Sequence, residues 1–207
     1  MLISAFVLLA LFIGGLWWAY GKALDMVTSR QPESVQLEPV SDAQFAEASE
    51  KLTQVRTAKG RGESVTVGFT AAELNALIAR HPDFADLRGK VRVAIADSLV
   101  TLDLSAPLEG LPLPRMKGRW FNGQATFGFV YDEGRFSFNL REISANGHQL
   151  PDSVFRGFAS TFENSFNEGF DKARRESNRS DEFWGDVKSI GVADDKLIVI
   201  TKGDASV

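Results

Sequence analysis

The sequence predicts an α+β protein: an N-terminal transmembrane helix, then one domain in which a curved antiparallel sheet packs on a long amphipathic helix. Three observations carry this reading. Residues 1–20, MLISAFVLLALFIGGLWWAY, hold no charged side chain. Apolar and polar positions alternate in paired runs over residues 87–105, 125–140 and 187–201, the period of half-buried strands. Phe155, Phe158, Phe162, Phe166 and Phe170 follow at steps of three, four, four and four, which places them on one helical face. The boundaries expected are an anchor over residues 1–24, an extended spacer over 25–40 and a single α+β domain over 41–203.

A helix of twenty residues rises about 30 Å, the thickness of a bilayer's hydrocarbon core. Trp17, Trp18 and Tyr20 gather at its downstream end, where amphipathic rings favour the headgroup level. The rival reading is a cleaved signal peptide. No Lys or Arg precedes the run, and the run is longer than the apolar region of such a peptide, yet Gly21 and Ala23 are small enough to suit a peptidase. A buried globular helix fits worst, because every face is apolar. Flanking charge orients the anchor poorly: Lys22 and Arg30 stand beside Asp25, which by itself slightly favours a cytoplasmic C-terminal part.

The spacer contains Pro32 and Pro39 and no periodicity. Ser41 with Gln44 forms a capping box for a helix to about Lys59, with Phe45, Ala48, Leu52 and Val55 as its apolar stripe. The glycines of Lys59-Gly60-Arg61-Gly62 end it. A short strand, residues 63–69, leads into a second capping box, Thr70 with Glu73, and a helix of about three turns that Pro82 stops. Residues 87–96 and 99–105 alternate around a turn at Asp97-Ser98 and form a hairpin. The segment PLEGLPLP, residues 107–114, is a proline-punctuated loop. Asn122-Gly123 reads as a tight turn or a bulge. Phe127 and Phe129 then share a face, and Phe136 and Phe138 answer them across the turn at residues 132–134. After Asn146-Gly147 comes the helix from Asp152 or Ser153, and the chain closes with a hairpin turning at Asp194-Asp195.

Composition narrows the chemistry. Net charge is −4, so no overall field draws the chain to nucleic acid. Cysteine is absent, which removes disulfides and thiolate chemistry. The two histidines, His81 at a helix end and His148 in a turn, read as capping or solvated residues, and with no Cys they build no zinc site of the usual kinds. The acidic pairs Asp132-Glu133 and Asp194-Asp195 read as turn residues, and the basic cluster over residues 172–179 as a solvated helix end. No GxSxG, HExxH or GxGxxG occurs. The reading is therefore non-enzymatic, with no cofactor and no metal.

An anchor, a spacer, a short strand and then FTAAELNALI before alternating strands, with GHQLPDSV entering a last helix, resembles bacterial membrane-anchored proteins of the YpmS-like kind. That group in turn resembles the tubular lipid-binding (TULIP-like) architecture, in which a curved sheet wraps a long helix around an apolar groove. The resemblance implies a single-pass membrane protein with an extracytoplasmic domain that binds an apolar ligand such as an acyl chain. Phe127, Phe129, Phe136, Phe138, Phe155, Phe158, Phe162 and Phe166 would line the groove. The expected partners are the bilayer, through residues 1–20, and a lipid; no protein partner is specified. The alternative is a structural or interaction module of the envelope in which the same rings form a dry core. An enzyme acting on lipid or cell wall is a third class, without a motif to support it.

Overall fold

The computed structural model describes residues 28–109, 116–132, 135–149 and 186–203, together with Asp25 and Phe155. Their elements are helix α1 (Asp42–Arg61), strand β1 (Thr66–Thr70), helix α2 (Ala71–Arg80), a 3-10 helix (Pro82–Leu87) and strands β2 (Val91–Ala96), β3 (Leu99–Pro107), β4 (Trp120–Asp132), β5 (Arg135–Ala145), β6 (His148–Gln149), β7 (Val187–Ala193) and β8 (Lys196–Thr201). Every pairing is antiparallel.

The architecture corrects the expected α+β class. Strands make up 45% of the described residues and helices 28%, and the strands form one nearly closed, barrel-like sheet. The helices that pack against strands here are α1 and α2, not one long amphipathic helix. The expected helix from residue 152 onward lies outside the described residues, apart from Phe155. Among the described residues no helix is long and apolar enough to cross a membrane, and the expected anchor, residues 1–24, also lies outside them.

Closure originates in β4. One of its edges carries β5 over residues 123–132. The other is divided: β3 pairs with residues 120–127, and β7 pairs with residues 130–132. Two ribbons, β3–β2 and β7–β8–β1, therefore leave the same edge and splay, and the sheet curls around their shared concave face. Tyr131 sits at the division, opposite Phe136 on one side and Ile190 on the other, and is fully buried. Val67 and Phe69 of β1 and Val199 of β8 continue the same core. Two bulges keep apolar side chains on this face. Extra residues at Arg141 in β5 and Lys188 in β7 shift the alternation by one, so Ile143 and Val187 point inward with their neighbours.

Local chemistry sets the ends. Ser41 and Thr70 cap α1 and α2 through complete boxes with Gln44 and Glu73, and Gly62 closes α1 at φ 63°. Gly60 does not end α1, which runs through it to Arg61. Leu87 belongs to the 3-10 helix, so the strand after it begins only at Val91. Asp97-Ser98, Asn146-Gly147 and Asp194-Asp195 all have positive φ, as two-residue hairpin turns require.

Asn122-Gly123 is neither turn nor bulge. Both residues lie within β4, and a Cβ on Gly123 would come within 2.0 Å of the Ser144 carbonyl oxygen across the β4–β5 ladder. Asn122 is buried, and both ends of its amide are bonded. Its Nδ2 donates to the Gln31 carbonyl at 2.8 Å, and its Oδ1 accepts from the Ser105 hydroxyl at 2.8 Å and the Glu33 N–H at 3.2 Å. Residues 29–35 thus run along the sheet: Ser29 and Trp120 exchange both backbone bonds at 2.8 Å, and Val35 N–H donates to the Gly89 carbonyl at 2.9 Å. Replacing Asn122 with Leu takes a partner from the Gln31 carbonyl and from the buried Ser105 hydroxyl, while Glu33 N–H keeps its bond to Ser105 Oγ at 3.1 Å. The expected loss is about 1–3 kcal/mol per group left unsatisfied, measured by chemical denaturation. A variant as stable as the parent would mean that this cluster does not hold residues 29–35 to the sheet.

Candidate functional site

The open side of the barrel lies under α1 and α2. A groove of about 790 Å³ runs there, with Leu52 and Val55 of α1, Leu74 and Leu77 of α2 and Phe84 of the 3-10 helix as one wall. Phe69, Ile190, Leu197 and Val199 form the floor from β1, β7 and β8. The helical wall comes from the three-and-four spacing of apolar residues on two helices packed side by side. The floor comes from alternate residues of adjacent strands.

Charge is confined to the rim. Arg56 pairs with Asp83, and Lys59 lies 3.7 Å from Asp186. The Arg56 guanidinium holds the Asp83 carboxyl below its usual range. Thr201, also on the lining, is fully buried and satisfied: its hydroxyl donates to the Glu63 carbonyl at 2.7 Å and accepts from Val65 N–H at 2.9 Å. The groove thus presents apolar walls to an occupant and opposite charges at its mouth.

A largely buried ionic staple joins the two helices of the wall. The Glu73 carboxylate, 7% exposed, pairs with Lys51 of α1 while its other oxygen accepts from the Thr70 N–H at 2.8 Å. Burial pushes the Glu73 carboxyl up, but the hydrogen bonds and charge of Lys51 and Thr70 outweigh it, and its pKa lies below the ordinary 4.5. The hydrogen bond to Glu73 raises Lys51 above the ordinary 10.5, against desolvation.

The structure brings four of the sequence-predicted residues together. Phe127 and Phe138 lie 4.7 Å apart, Phe129 and Phe136 stack at 5.7 Å, and the four form an aromatic ladder on the concave face of β4 and β5. Phe129 and Phe136 pack against the same core that underlies the groove. Phe155 is half-buried, and Phe158, Phe162 and Phe166 lie outside the described residues. His81 caps the 3-10 helix, its Nδ1 accepting from the Asp83 N–H at 3.3 Å, and His148, expected in a turn, is exposed in β6 directly after the Asn146-Gly147 turn. Among the described residues no three His, Asp or Glu side chains converge as a metal site would need.

Sequence reasoning missed the groove walls. Leu52, Val55, Leu74 and Leu77 stand in the helical stripes that periodicity assigns to packing; Val55 and Leu77 are indeed buried in the core, and a groove bordering that core needs the same pattern. No protein-family model, curated protein or solved structure matches this chain.

The staple predicts a pH window. Glu73, depressed in the fold, contributes stability above about pH 4.5 that is lost as pH falls through its folded value; Lys51, raised, contributes below about 10.5 and loses it as pH rises through its own. Glu73→Gln should destabilise at pH 7 by an amount between the roughly 1 kcal/mol of an exposed pair and the about 3–5 kcal/mol of a buried one. The difference between parent and variant should shrink at pH 3 in chemical denaturation. A difference that stays constant between the two pH values would show that the ionised pair contributes nothing.

Proposed function

We propose that this chain is a non-enzymatic, membrane-tethered domain that holds an apolar ligand, such as a lipid acyl chain, in the groove between α1, α2 and the β1–β8–β7 ribbon. The observation that carries the reading is a half-open space of about 790 Å³ with apolar walls and its charged side chains at the rim. Small-molecule sites are typically concave, mostly apolar and about 300–1,000 Å³. An alkyl chain asks for walls of this kind and places no demand on polar groups inside. The tether is residues 1–20, whose length and lack of charge suit a bilayer span. The likeness to anchored bacterial proteins of the YpmS-like kind points the same way, and it alone favours an extracytoplasmic domain.

The dry-core alternative draws support from a different place. The rings of Phe127, Phe129, Phe136 and Phe138 lie 4.7 to 6.5 Å from their neighbours, the spacing of aromatic pairs that pack on one another. We therefore assign the ladder to packing and the groove to binding.

A photoactivatable fatty acid added to the full chain in membranes tests the assignment. Crosslinks should map to peptides containing Leu52–Val55 and Ile190–Val199 as well as to residues 1–20. Leu52→Trp, which fills the groove from a partly buried position, should cut the first class about tenfold and leave the second unchanged. Crosslinks confined to residues 1–20 would leave a structural module without a ligand.

A further inference from the structure

Residues 1–20, read as the anchor, fix more than attachment, because the chain just after them is clipped to one end of the sheet. Asp25 pairs with Arg119 at 2.8 Å, and the same guanidinium donates to the buried Thr28 hydroxyl at 2.6 Å. Ser29 and Trp120 then pair through both backbone bonds. The Arg119 side chain is only 13% exposed, so this is a joint within the fold.

Chain length sets how far the joint can stand from the bilayer. Tyr20, the last aromatic residue of the apolar run, precedes Asp25 by five residues, which reach at most about 18 Å when fully extended. A tether with a long free segment would place no such limit, but here Asp25 already pairs with Arg119 of the fold. Beside the joint, Arg30 and Lys117 are exposed and form no ion pair among the described residues.

The groove lies toward the other end. β4 starts at the joint with Trp120 and finishes at Asp132, twelve residues or about 40 Å further along the strand. Asp132 pairs with Ser189 of β7, and the strand continues outward to Val187 and Asp186 at the groove mouth.

We propose that the domain stands on the start of β4, with Lys117 and Arg30 against the phosphate headgroups of the bilayer that holds the anchor, and that the groove mouth at Lys59 and Asp186 is carried away from that bilayer. The surface rests on the anchor reading of residues 1–20; the groove reading enters only through what is held at the far end. Two exposed cations next to a short tether, unpaired among the described residues, fit an anionic headgroup layer, to which each basic side chain near the surface is attracted. A groove facing away would exchange its ligand with something other than the leaflet beneath it.

The chain has no cysteine, so single labels can be placed cleanly. The full chain carrying either Lys117→Cys or Arg135→Cys, both exposed sites, is labelled with a fluorophore and reconstituted into phosphatidylglycerol-containing vesicles with a headgroup quencher. Flotation with the vesicles is scored in the same samples, and circular dichroism checks the fold. The label at position 117 should be quenched at least threefold more than the label at 135. Equal quenching in protein that floats would overturn the standing orientation while leaving the anchor intact. Protein that does not float would overturn the anchor reading and the proposal together.

Discussion

The division of one β4 edge between two partners is the constraint from which the rest of the structure follows. A flat antiparallel sheet offers each strand two neighbours, but β4 has three, β5 along one edge and β3 and β7 in succession along the other. Two ribbons cannot both lie in the plane of the strand they leave, so they diverge with the sheet's right-handed twist and the face between them becomes concave. Tyr131, at the division, is fully buried because both ribbons fold over it. Gly123 belongs to the same constraint at the other end of the strand. Its missing side chain lets the Ser144 carbonyl approach, which a Cβ would block.

Curling leaves a gap between β1 and β2, the outer strands of the two ribbons, and the helices bridge it with polar staples as much as with apolar contact. Asn75 of α2 treats Val93 of β2 as a neighbouring strand would. Its Nδ2 donates to the Val93 carbonyl and its Oδ1 accepts from the Val93 N–H, each at 2.8 Å. An exposed edge is a template for unwanted pairing, and this amide occupies it. Lys51 and Glu73 join α1 to α2 two residues before Asn75, and Arg80 of α2 stacks on Phe45 while pairing with Asp42 at 2.7 Å. α1 itself buries Ala48, Val55 and Ala58 and packs Leu52 against the same core, and of its polar links the Lys51 bond to the buried Glu73 is the one shielded from solvent.

Local features were legible in the sequence and shared ones were not. Both capping boxes and the turns at Asp97-Ser98, Asn146-Gly147 and Asp194-Asp195 depend on residues a few positions apart, and all appear in the structure. The fold class depended on partners far along the chain. Nothing in β4 marks which half of its edge goes to β3 and which to β7, and the phenylalanine stripe after residue 152 drew the reading toward a long helix. Asn122-Gly123 was misread for a related reason. The pair has turn chemistry, but its amide serves residues 31, 33 and 105, which periodicity does not connect. The spacing of Phe127, Phe129, Phe136 and Phe138 did place them on one face; that rings so placed pack on one another while the half-buried Leu52 and Leu74 border a groove is a matter of three-dimensional distance.

The two ends of the concave face differ because they are filled by different means. At the start of β4 buried hydrogen bonds do the filling: Asn122, Ser105, Arg119 and Thr28 tie strand to strand, and directional bonds of this kind tolerate little displacement. Along β4 and β5 the aromatic ladder continues with broad rings that meet across the ladder. Beyond Tyr131 the two ribbons no longer share a partner strand, and among the described residues α1 and α2 pack over them. A void lined by apolar groups forfeits dispersion contacts on its open side, so the lining gains from any apolar occupant. The splay that curls the sheet at Tyr131 therefore also creates the space beyond it.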